Sequence, residues 1–224
     1  MKCYVISGMA ADRRVFNHLQ FPHTVEPVFL EWITPQQTET LTAYAKRLAL
    51  KIDAQKPFML LGLSMGGMIA VEIAKLMQPS ATILLSSIPL SSQLPNFYKL
   101  AGKLQLYKMV PVGLIKKASL VKRFFATESA EDKQTLRNVV IESDAAFIRW
   151  AMEAVLKWEN DYLPNPYFHI HGSSDEILPM KYTRPTHIIP NGKHLMVMTR
   201  SGEVNGILRE IFNQHSAKAG DGKV

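Results

Sequence analysis

The feature that most constrains the fold is the alternation of short apolar segments with helical segments along the chain. Runs of apolar and β-branched residues predict six strands, at Cys3–Ser7, Val25–Glu31, Phe58–Leu63, Thr82–Ser86, Tyr167–His171 and His187–Ile189. Apolar residues at helical spacing predict helices at Arg13–Gln20, Glu39–Lys51, Met65–Met77 and Glu203–Asn213. This alternation predicts an α/β protein with a mostly parallel sheet and helices on both faces.

The alternation is interrupted between Pro89 and Asp161, where no strand is predicted. This stretch is rich in aromatic residues and carries helical patterns at Ala130–Val140 and Ala145–Trp158. An insertion of this length inside a compact domain is typical of a lid or cap. We therefore predict a core of residues 1–88 and 162–215, a helical cap of residues 89–161 and a disordered tail of residues 216–224. We expect the aromatic side chains of the cap to face a pocket and its lysines to face solvent.

The length and the cysteine content exclude several classes of protein. A chain of 224 residues is long enough for one domain with a sizeable core. Its single cysteine, Cys3, excludes an intramolecular disulfide and a thiolate zinc cluster, and we expect no metal or cofactor. No apolar run reaches the roughly 18 residues of a membrane span. The start of the chain favours a strand entering a turn over a signal peptide, so we expect a cytoplasmic protein.

The positive charge of the chain is unevenly distributed. The net charge is +7, and no acidic residue lies between Glu72 and Glu128. The basic residues of that stretch are Lys75, Lys99, Lys103, Lys108, Lys116, Lys117, Lys122 and Arg123. They form either a solvated surface or a surface that attracts an anionic partner, such as an acidic carrier protein, a phosphate-bearing substrate or a membrane surface. Nucleic acid is disfavoured, because no recognised nucleic-acid-binding motif accompanies the charge.

A G-x-S-x-G motif at Gly62–Gly66 is the strongest chemical signal in the sequence. The pattern alone is common, but here an apolar strand precedes it and a helical segment follows it. This setting is typical of a nucleophile elbow, in which the serine lies on a strained turn and the glycines let strand and helix approach closely. The motif therefore predicts Ser64 as a nucleophile.

A serine nucleophile needs a base, and the base needs an orienting carboxylate; in this architecture the three follow in the order Ser, acid, His. Of the seven histidines, only His187, His194 and His215 lie after the last strand begins. His187 is inside that strand and His215 is near the tail. His194 follows a turn at Asn191-Gly192, directly after the strand, where this class of fold places its chemistry. We predict His194 as the base.

The acid is expected after an earlier strand. Asp175 follows the strand Tyr167–His171 by four residues, and Glu176 and Asp161 are the alternatives. Asp175 could instead be an ordinary Asx-turn residue beside two serines.

Two backbone N–H groups are expected to stabilise an oxyanion. One belongs to Met65, the residue after the serine, and the other to the loop after the first strand, where we favour Met9 over Ala10. The charged residues at positions 12–14 of that loop are interpreted as a helix N-terminus and surface charges. The same elements bring together four methionines that form either core or an adaptable acyl pocket: Met9, Met65, Met196 and Met198. We expect Met196, Phe125 and Trp150 in the substrate pocket.

These motifs together resemble the α/β-hydrolase superfamily over nearly the whole chain. The resemblance rests on SGMAADRRVF as the oxyanion loop, GLSMGG as the elbow, HGSSDEILP as the acid loop and GKH as the base loop. It implies a small capped member of esterase or thioesterase type, with Ser64, Asp175 and His194 as its triad. Relatives often have His-Gly where this chain has Ser7-Gly8, and often carry two further strands ahead of this point, so a trimmed sheet of about six strands is expected. The serine nucleophile argues against dehalogenase or epoxide hydrolase chemistry.

The leading hypothesis is a serine hydrolase that cleaves carboxylic esters or thioesters with small to medium apolar acyl groups through an acyl-enzyme. One alternative is a small-molecule sensor or signalling protein with slow or no turnover. Another is a lyase or an acyltransferase on the same scaffold.

Overall fold

The computed structural model describes residues 1–109, 113 and 129–217 of the chain. In this part of the chain six parallel strands form one sheet in the order β2-β1-β3-β4-β5-β6. Their bounds are Lys2–Ile6 (β1), Glu26–Phe29 (β2), Phe58–Leu63 (β3), Ala81–Leu85 (β4), Tyr167–Gly172 (β5) and His187–Ile189 (β6). All six predicted strands are present, with ends that shift by one or two residues.

Seven α-helices accompany the sheet within the described residues: Leu41–Ala49 (α1), Met65–Leu76 (α2), Asn96–Lys103 (α3), Ala130–Glu142 (α4), Ala145–Leu156 (α5), Met196–Thr199 (α6) and Ser201–Ala217 (α7). Short 3₁₀ helices lie at Arg13–Phe16, Ser91–Gln93, Leu106–Met109 and Met180–Tyr182. None of the helices in these ranges is long and apolar enough to cross a bilayer.

The prediction of a helix over Arg13–Gln20 is wrong, because the structure forms only the 3₁₀ helix Arg13–Phe16 there. Asn205, on α7, explains why the helix stops. Its side-chain amide donates to the carbonyl of His18 at 2.9 Å and accepts from the N–H of Gln20 at 3.0 Å. These backbone groups therefore find their partners outside the segment, and the helical ladder is not continued.

Two apolar cores lie on opposite faces of the sheet, since successive residues of a strand point to opposite sides. In β1, Cys3 and Val5 belong to the first core, whereas Tyr4 and Ile6 belong to the second. Helix α7 covers the first core, and helices α1 and α2 cover the second. The prediction of helices on both faces is confirmed.

The regular elements described between β4 and β5 are all helices, joined by irregular stretches. Its helix α4 adds Leu136 and Val139 to the first core, and its helix α5 adds Phe147 and Ala151 to the second. The insertion therefore reaches the cores of both faces. Because the strands are parallel, their carboxyl ends meet at one edge of the sheet, and the insertion departs from that edge after β4.

Several side chains of the insertion can be compared with the expectation of inward aromatic and outward basic residues. Lys99, Lys103 and Lys108 are exposed, as expected. Phe97, on α3, departs from the expectation, because it is 53% exposed. The remaining basic residues of the stretch, Lys116, Lys117, Lys122 and Arg123, lie outside the described residues. At the other end of the chain α7 continues to Ala217, and positions 218–224 of the predicted tail also lie outside them.

Candidate active site

Ser64 lies on the sharp turn between β3 and α2. Its backbone has φ 53° and ψ −121°, a left-handed φ that is uncommon for a residue with a side chain. The turn is fixed on both sides: the N–H of Ser64 donates to the carbonyl of Leu85 at 2.9 Å, and the Ser87 hydroxyl donates to the carbonyl of Ser64 at 2.6 Å. The Ser64 side chain is half-buried and reaches solvent at the carboxyl edge of the sheet.

The glycines of the motif are required by close backbone approach. A Cβ at Gly62 would lie 2.3 Å from the carbonyl oxygen of Gly66, and a Cβ at Gly66 would lie 2.2 Å from that of Ser7. Any larger residue at either position would push strand, helix and neighbouring loop apart. This agrees with the reason for which the motif needs glycine two residues before and after the serine.

The structure brings together the three residues that the sequence predicts as a triad. The imidazole of His194 has Nε2 at 2.9 Å from Ser64 Oγ and Nδ1 at 2.8 Å from Asp175 Oδ2. His194 and Asp175 are buried, at 3% and 4% exposure. The carboxylate of Asp175 accepts a hydrogen bond from Nδ1–H of His194. In the neutral ring Nε2 is then the acceptor and can take the serine proton. Hydrogen bonds of this length can carry a proton from the hydroxyl to the imidazole.

Asp175 forms an Asx turn and also contacts the His194 imidazole, so the turn is compatible with the predicted acid role. Its Oδ1 accepts from the N–H groups of Ile177 and Leu178, both at 2.9 Å, while its Oδ2 faces the imidazole. The turn therefore holds the carboxylate in one rotamer. The two other candidate acids, Glu176 and Asp161, are exposed.

The carboxylate of Asp175 is kept ionised by its surroundings. Burial by itself would raise its pKa, but the nearby imidazoles of His194 and His171 and its hydrogen bonds hold the pKa of Asp175 below its ordinary value. A lowered carboxyl pKa means that the charged form persists at neutral pH and is lost only in acid.

The acid loop and the base loop are tied to each other. The N–H of Ser174 donates to the carbonyl of Gly192 at 2.9 Å, and the N–H of Asn191 donates to the hydroxyl of Ser173 at 2.8 Å. Asn191 adopts a left-handed φ of 56°, which asparagine tolerates better than most residues. These bonds fix the distance between Asp175 and His194 independently of the serine.

The loop after β1 is held in a turn beside the serine. The Ser7 hydroxyl and the Trp32 indole N–H both donate to the carbonyl of Ala11, each at 2.9 Å, and Ala10 has a left-handed φ of 55°. A Cβ at Gly8 would lie 3.3 Å from the Cβ of Ser64, so this loop passes directly beside Ser64. Ser7, which stands where relatives often have histidine, thus supports the shape of the loop.

The predicted oxyanion donors lie on the two segments that flank Ser64. Met65 is the first residue of α2, and Met9 lies in the turn after β1. Neither backbone N–H donates to another residue in the described part of the chain. Uncommitted N–H groups at a helix start and in a neighbouring turn are suited to bind a developing negative charge.

A cavity of about 920 Å³ opens beside this loop, between the segment after β2 and helix α5. Ala10 and Ala11 form its border with the oxyanion loop, and Trp32, Ile33, Phe147 and Trp150 form its apolar wall. The aromatic rings of the wall contact each other in tilted arrangements, with ring centroids of Trp32 and Phe147 at 5.0 Å and of Phe147 and Trp150 at 5.4 Å.

The predicted pocket residues have different positions. Trp150 lines this cavity and donates its indole N–H to the carbonyl of Glu39 at 2.8 Å. Met196 is fully buried in the first core and does not line the cavity, and Phe125 lies outside the described residues. Sequence analysis missed Trp32, for which the only signal was a tryptophan shortly after a strand.

The other three methionines also occupy packed positions. Met65 and Met198 are buried on opposite faces of the sheet, and Met9 is half-buried against the second core. Within the described residues no group of three or more His, Cys, Asp or Glu side chains is arranged to hold a metal ion.

The cavity wall carries no excess of positive charge. Four carboxylates and two cationic groups line it: Glu39, Asp144, Glu153 and Glu159, against Arg149 and Lys157. Most of the carboxylates are already engaged, since Glu39 pairs with Arg47, Asp144 caps α5 and Glu153 pairs with Lys157. Any attraction of an anion by the exposed lysines would therefore act outside this cavity.

Comparison with known proteins gives one family. The family model for the thioesterase domain matches residues 18–149 of the chain, which is more than half of it. The matched range includes Ser64 and ends before Asp175 and His194. A search of curated protein sequences finds no significant match.

Solved structures with similar folds include esterases and other hydrolases. An esterase from Thermogutta terrifontis superposes with a TM-score of 0.66 at 17% identity, covering 96% of this chain and 90% of that one. A lipase-esterase related protein from Clostridium acetobutylicum has a TM-score of 0.71 at 15% identity, with 93% of each chain covered. A hydrolase from Oleispira antarctica has a TM-score of 0.72 at 13% identity, covering 95% of this chain and 90% of that one. At these identities the likeness concerns the fold.

Proposed function

The chain belongs to the thioesterase domain family and has the α/β-hydrolase fold, and on this basis we propose that it is a serine hydrolase of carboxylic esters or thioesters. Family and fold indicate hydrolysis of an ester bond in general. The observation that carries the finer proposal is the hydrogen-bonded series Ser64 Oγ, His194 and Asp175, with its distances of 2.9 and 2.8 Å.

In the proposed mechanism, Ser64 Oγ attacks the carbonyl carbon of the ester as His194 Nε2 takes the hydroxyl proton. Asp175 stabilises the imidazolium that forms and holds the ring in its Nδ1–H tautomer. The imidazolium then returns the proton to the leaving alcohol or thiol, and an acyl-enzyme remains. Water activated by His194 releases the acid and restores the serine.

The negative charge that develops on the carbonyl oxygen needs donors that are already in place. We assign this role to the N–H groups of Met65 and Met9, which flank the nucleophile and have no other partner within the described residues. Because both donors are backbone groups, their positions depend on the helix start and on the turn held by Ser7 and Trp32.

We further propose that the helical insertion of residues 89–161 is a cap and that the cavity beneath α5 receives the acyl group. The aromatic wall suits an apolar chain, and the cavity starts at Ala10 beside the oxyanion loop. The position of Tyr98, on α3, also supports a cap over the site. Its side chain packs partly buried against the second core, and burial and the Asp175 carboxylate raise the pKa of Tyr98.

The experiment that tests the function is a substrate panel. It compares p-nitrophenyl esters of increasing acyl length with the matching thioesters and with an N-acyl homoserine lactone, since one structural neighbour is described as degrading such lactones. Continuous multiple turnover is expected for medium acyl chains. A single burst that equals the enzyme concentration and then stops would contradict the hydrolase and favour a sensor.

Trp150 provides a test of the acyl cavity. Trp150→Leu should lower kcat/KM for a hexanoyl ester by about five- to twentyfold, since roughly 1–2 kcal/mol of apolar contact is lost, and should leave an acetyl ester unchanged. Trp150→Phe, which retains a ring, should lose less. Leu50→Ser is the control, because Leu50 is 84% exposed at the end of α1. An equal loss for both esters would show that Trp150 supports the fold and does not contact the acyl chain.

The exposed lysines of the insertion support a weaker proposal, that an anionic carrier presents the substrate. Lys99, Lys103 and Lys108 lie on the outer side of α3 and the 3₁₀ helix after it, whereas Lys75 is paired with the buried Glu72. If these lysines steer a carrier, kcat/KM for an acidic-carrier thioester should fall by about tenfold or more with added salt. A neutral short ester should show no change. The same salt dependence for both substrates would contradict a carrier.

A further inference from the structure

Two histidines that the proposed mechanism does not use lie behind the acid. His169 and His171 alternate along β5 and therefore point to the same face of the sheet, where both side chains are fully buried. Nε2 of His169 lies 3.0 Å from Nδ1 of His171, with the two rings nearly perpendicular. Burying two imidazoles costs free energy unless each N–H group has a hydrogen-bond acceptor. This requirement determines which ring nitrogens carry the protons.

The proton positions follow from the last acceptor in the series. Nε2 of His171 lies 2.7 Å from the carbonyl oxygen of Leu178, which can only accept, so this nitrogen carries a proton. Burial lowers the pKa of His171 despite the nearby Asp175 carboxylate, and the ring is neutral. Its Nδ1 is therefore an acceptor.

His169 must then donate from Nε2 to His171. Burial lowers the pKa of His169 to about 3, so this ring is neutral as well and its Nδ1 carries no proton. Nδ1 of His169 makes no hydrogen bond of good geometry with the described residues, and the backbone of Ser87 only partly offsets the lowering of the pKa by burial. One arrangement of protons thus satisfies both buried N–H groups, and His169 selects the tautomer of His171.

The hydrogen-bond series ends at Leu178, which also bonds the carboxylate of Asp175. The N–H of Leu178 donates to Asp175 Oδ1 at 2.9 Å, while the carbonyl of Leu178 accepts from His171. His171 Nε2 also lies 3.5 Å from Asp175 Oδ2. Leu178 is therefore held at both of its backbone groups, and its position sets the rotamer of the carboxylate that faces His194.

We propose that His171 is a positioning residue for Asp175, and that His169 acts only by fixing the tautomer of His171. The proposal rests on the proposed hydrolase function. Because the pair contacts the acid loop and lies behind the carboxylate, it affects the orientation of His194 and so the chemical step. The substrate cavity lies beside the oxyanion loop and includes neither histidine.

The test measures the activity of two His171 variants on a short neutral ester. His171→Leu removes the donor to Leu178, and kcat should fall by roughly 10- to 100-fold, as outer hydrogen-bond partners of functional histidines do, with KM unchanged. His171→Gln keeps an amide donor at the same reach and should recover most of the loss. Thr82→Val, on the neighbouring strand β4, is the control for a buried polar side chain and should retain wild-type kcat.

A double substitution separates this role from simple packing. His169→Leu alone should lower kcat less than His171→Leu, and it should cause no further loss in the His171→Leu protein, because its effect passes through His171. Independent packing roles would instead give additive losses. Three results would overturn the proposal: additive losses in kcat, a rise in KM, or the same loss in kcat with His171→Gln as with His171→Leu.

Nitrogen-15 NMR of the histidines in the unsubstituted protein tests the series without any variant. We expect both rings to be neutral Nε2–H tautomers at about pH 7 to 8, because burial lowers the pKa of both from the ordinary value of a histidine. An Nδ1–H tautomer at His171 would overturn the proposal even if the variants fail to fold. If the unsubstituted protein neither hydrolyses esters nor reacts with a fluorophosphonate, the proposed function fails, whereas the NMR result still decides the hydrogen-bond series.

Discussion

Replacement of Ser64 by alanine is expected to lower ester turnover by about 10⁶-fold, leaving only the residual catalysis that the oxyanion donors and substrate binding provide. Without the hydroxyl no acyl-enzyme can form, and His194 Nε2 has no proton to accept. The variant should fold normally, because the strained turn is held by the N–H and the carbonyl of residue 64, which bond the Leu85 carbonyl and the Ser87 hydroxyl and which alanine retains.

Intact mass after incubation with a fluorophosphonate provides the direct measurement. The unsubstituted protein should gain one adduct and the Ser64→Ala protein none, while circular dichroism of the two should agree. Ser92→Ala, at an exposed position of the 3₁₀ helix Ser91–Gln93, is the matched control and should be labelled fully. Turnover above a few per cent in Ser64→Ala would exclude this serine as the nucleophile.

Asp175→Asn is expected to have the second largest effect, a fall in kcat of about 10⁴-fold. The amide oxygen can still accept from Ile177 and Leu178, so the turn persists. The amide nitrogen, however, would face His194 Nδ1 and donate to it. The imidazole would then carry its proton on Nε2 and could not accept one from Ser64.

Glu176→Gln provides the matched control, because Glu176 is the adjacent carboxylate and is exposed. It should change kcat by less than about twofold, in the range of surface substitutions that touch no functional group. The reverse order, with Glu176→Gln inactive and Asp175→Asn active, would transfer the acid role to Glu176. Labelling by the fluorophosphonate should be slowed in Asp175→Asn and normal in Glu176→Gln.

The positions of Ser64, Asp175 and His194 could be predicted because they depend on strand ends and chain order. Each lies in the first residues after a strand that local sequence identifies, and parallel strands place such residues at one edge. No knowledge of side-chain packing was needed. The family match adds support at Ser64 alone, since it ends before the other two.

What could not be predicted depends on contacts between distant parts of the chain. The segment after the 3₁₀ helix Arg13–Phe16 bonds to Asn205, almost the whole chain away, where a longer helix was predicted. The position of Met196 depends on which face of the sheet a short helix covers, and helical spacing does not specify that face. The role of His171 depends on where one carbonyl of the acid loop is placed, although the His-x-His alternation in a strand could have indicated a shared face.

The bonds between the acid loop and the base loop have a consequence for redesign. Residues 172–194 include Gly172 and Gly192, whose backbones lie against each other, and they contain both partners of the imidazole–carboxylate pair. They form a cassette in which hydrogen bonds hold the acid loop and the base loop together. Changes of loop length or grafts from a relative should replace the cassette whole, because exchanging one loop alone would break the register between the two and misalign the pair.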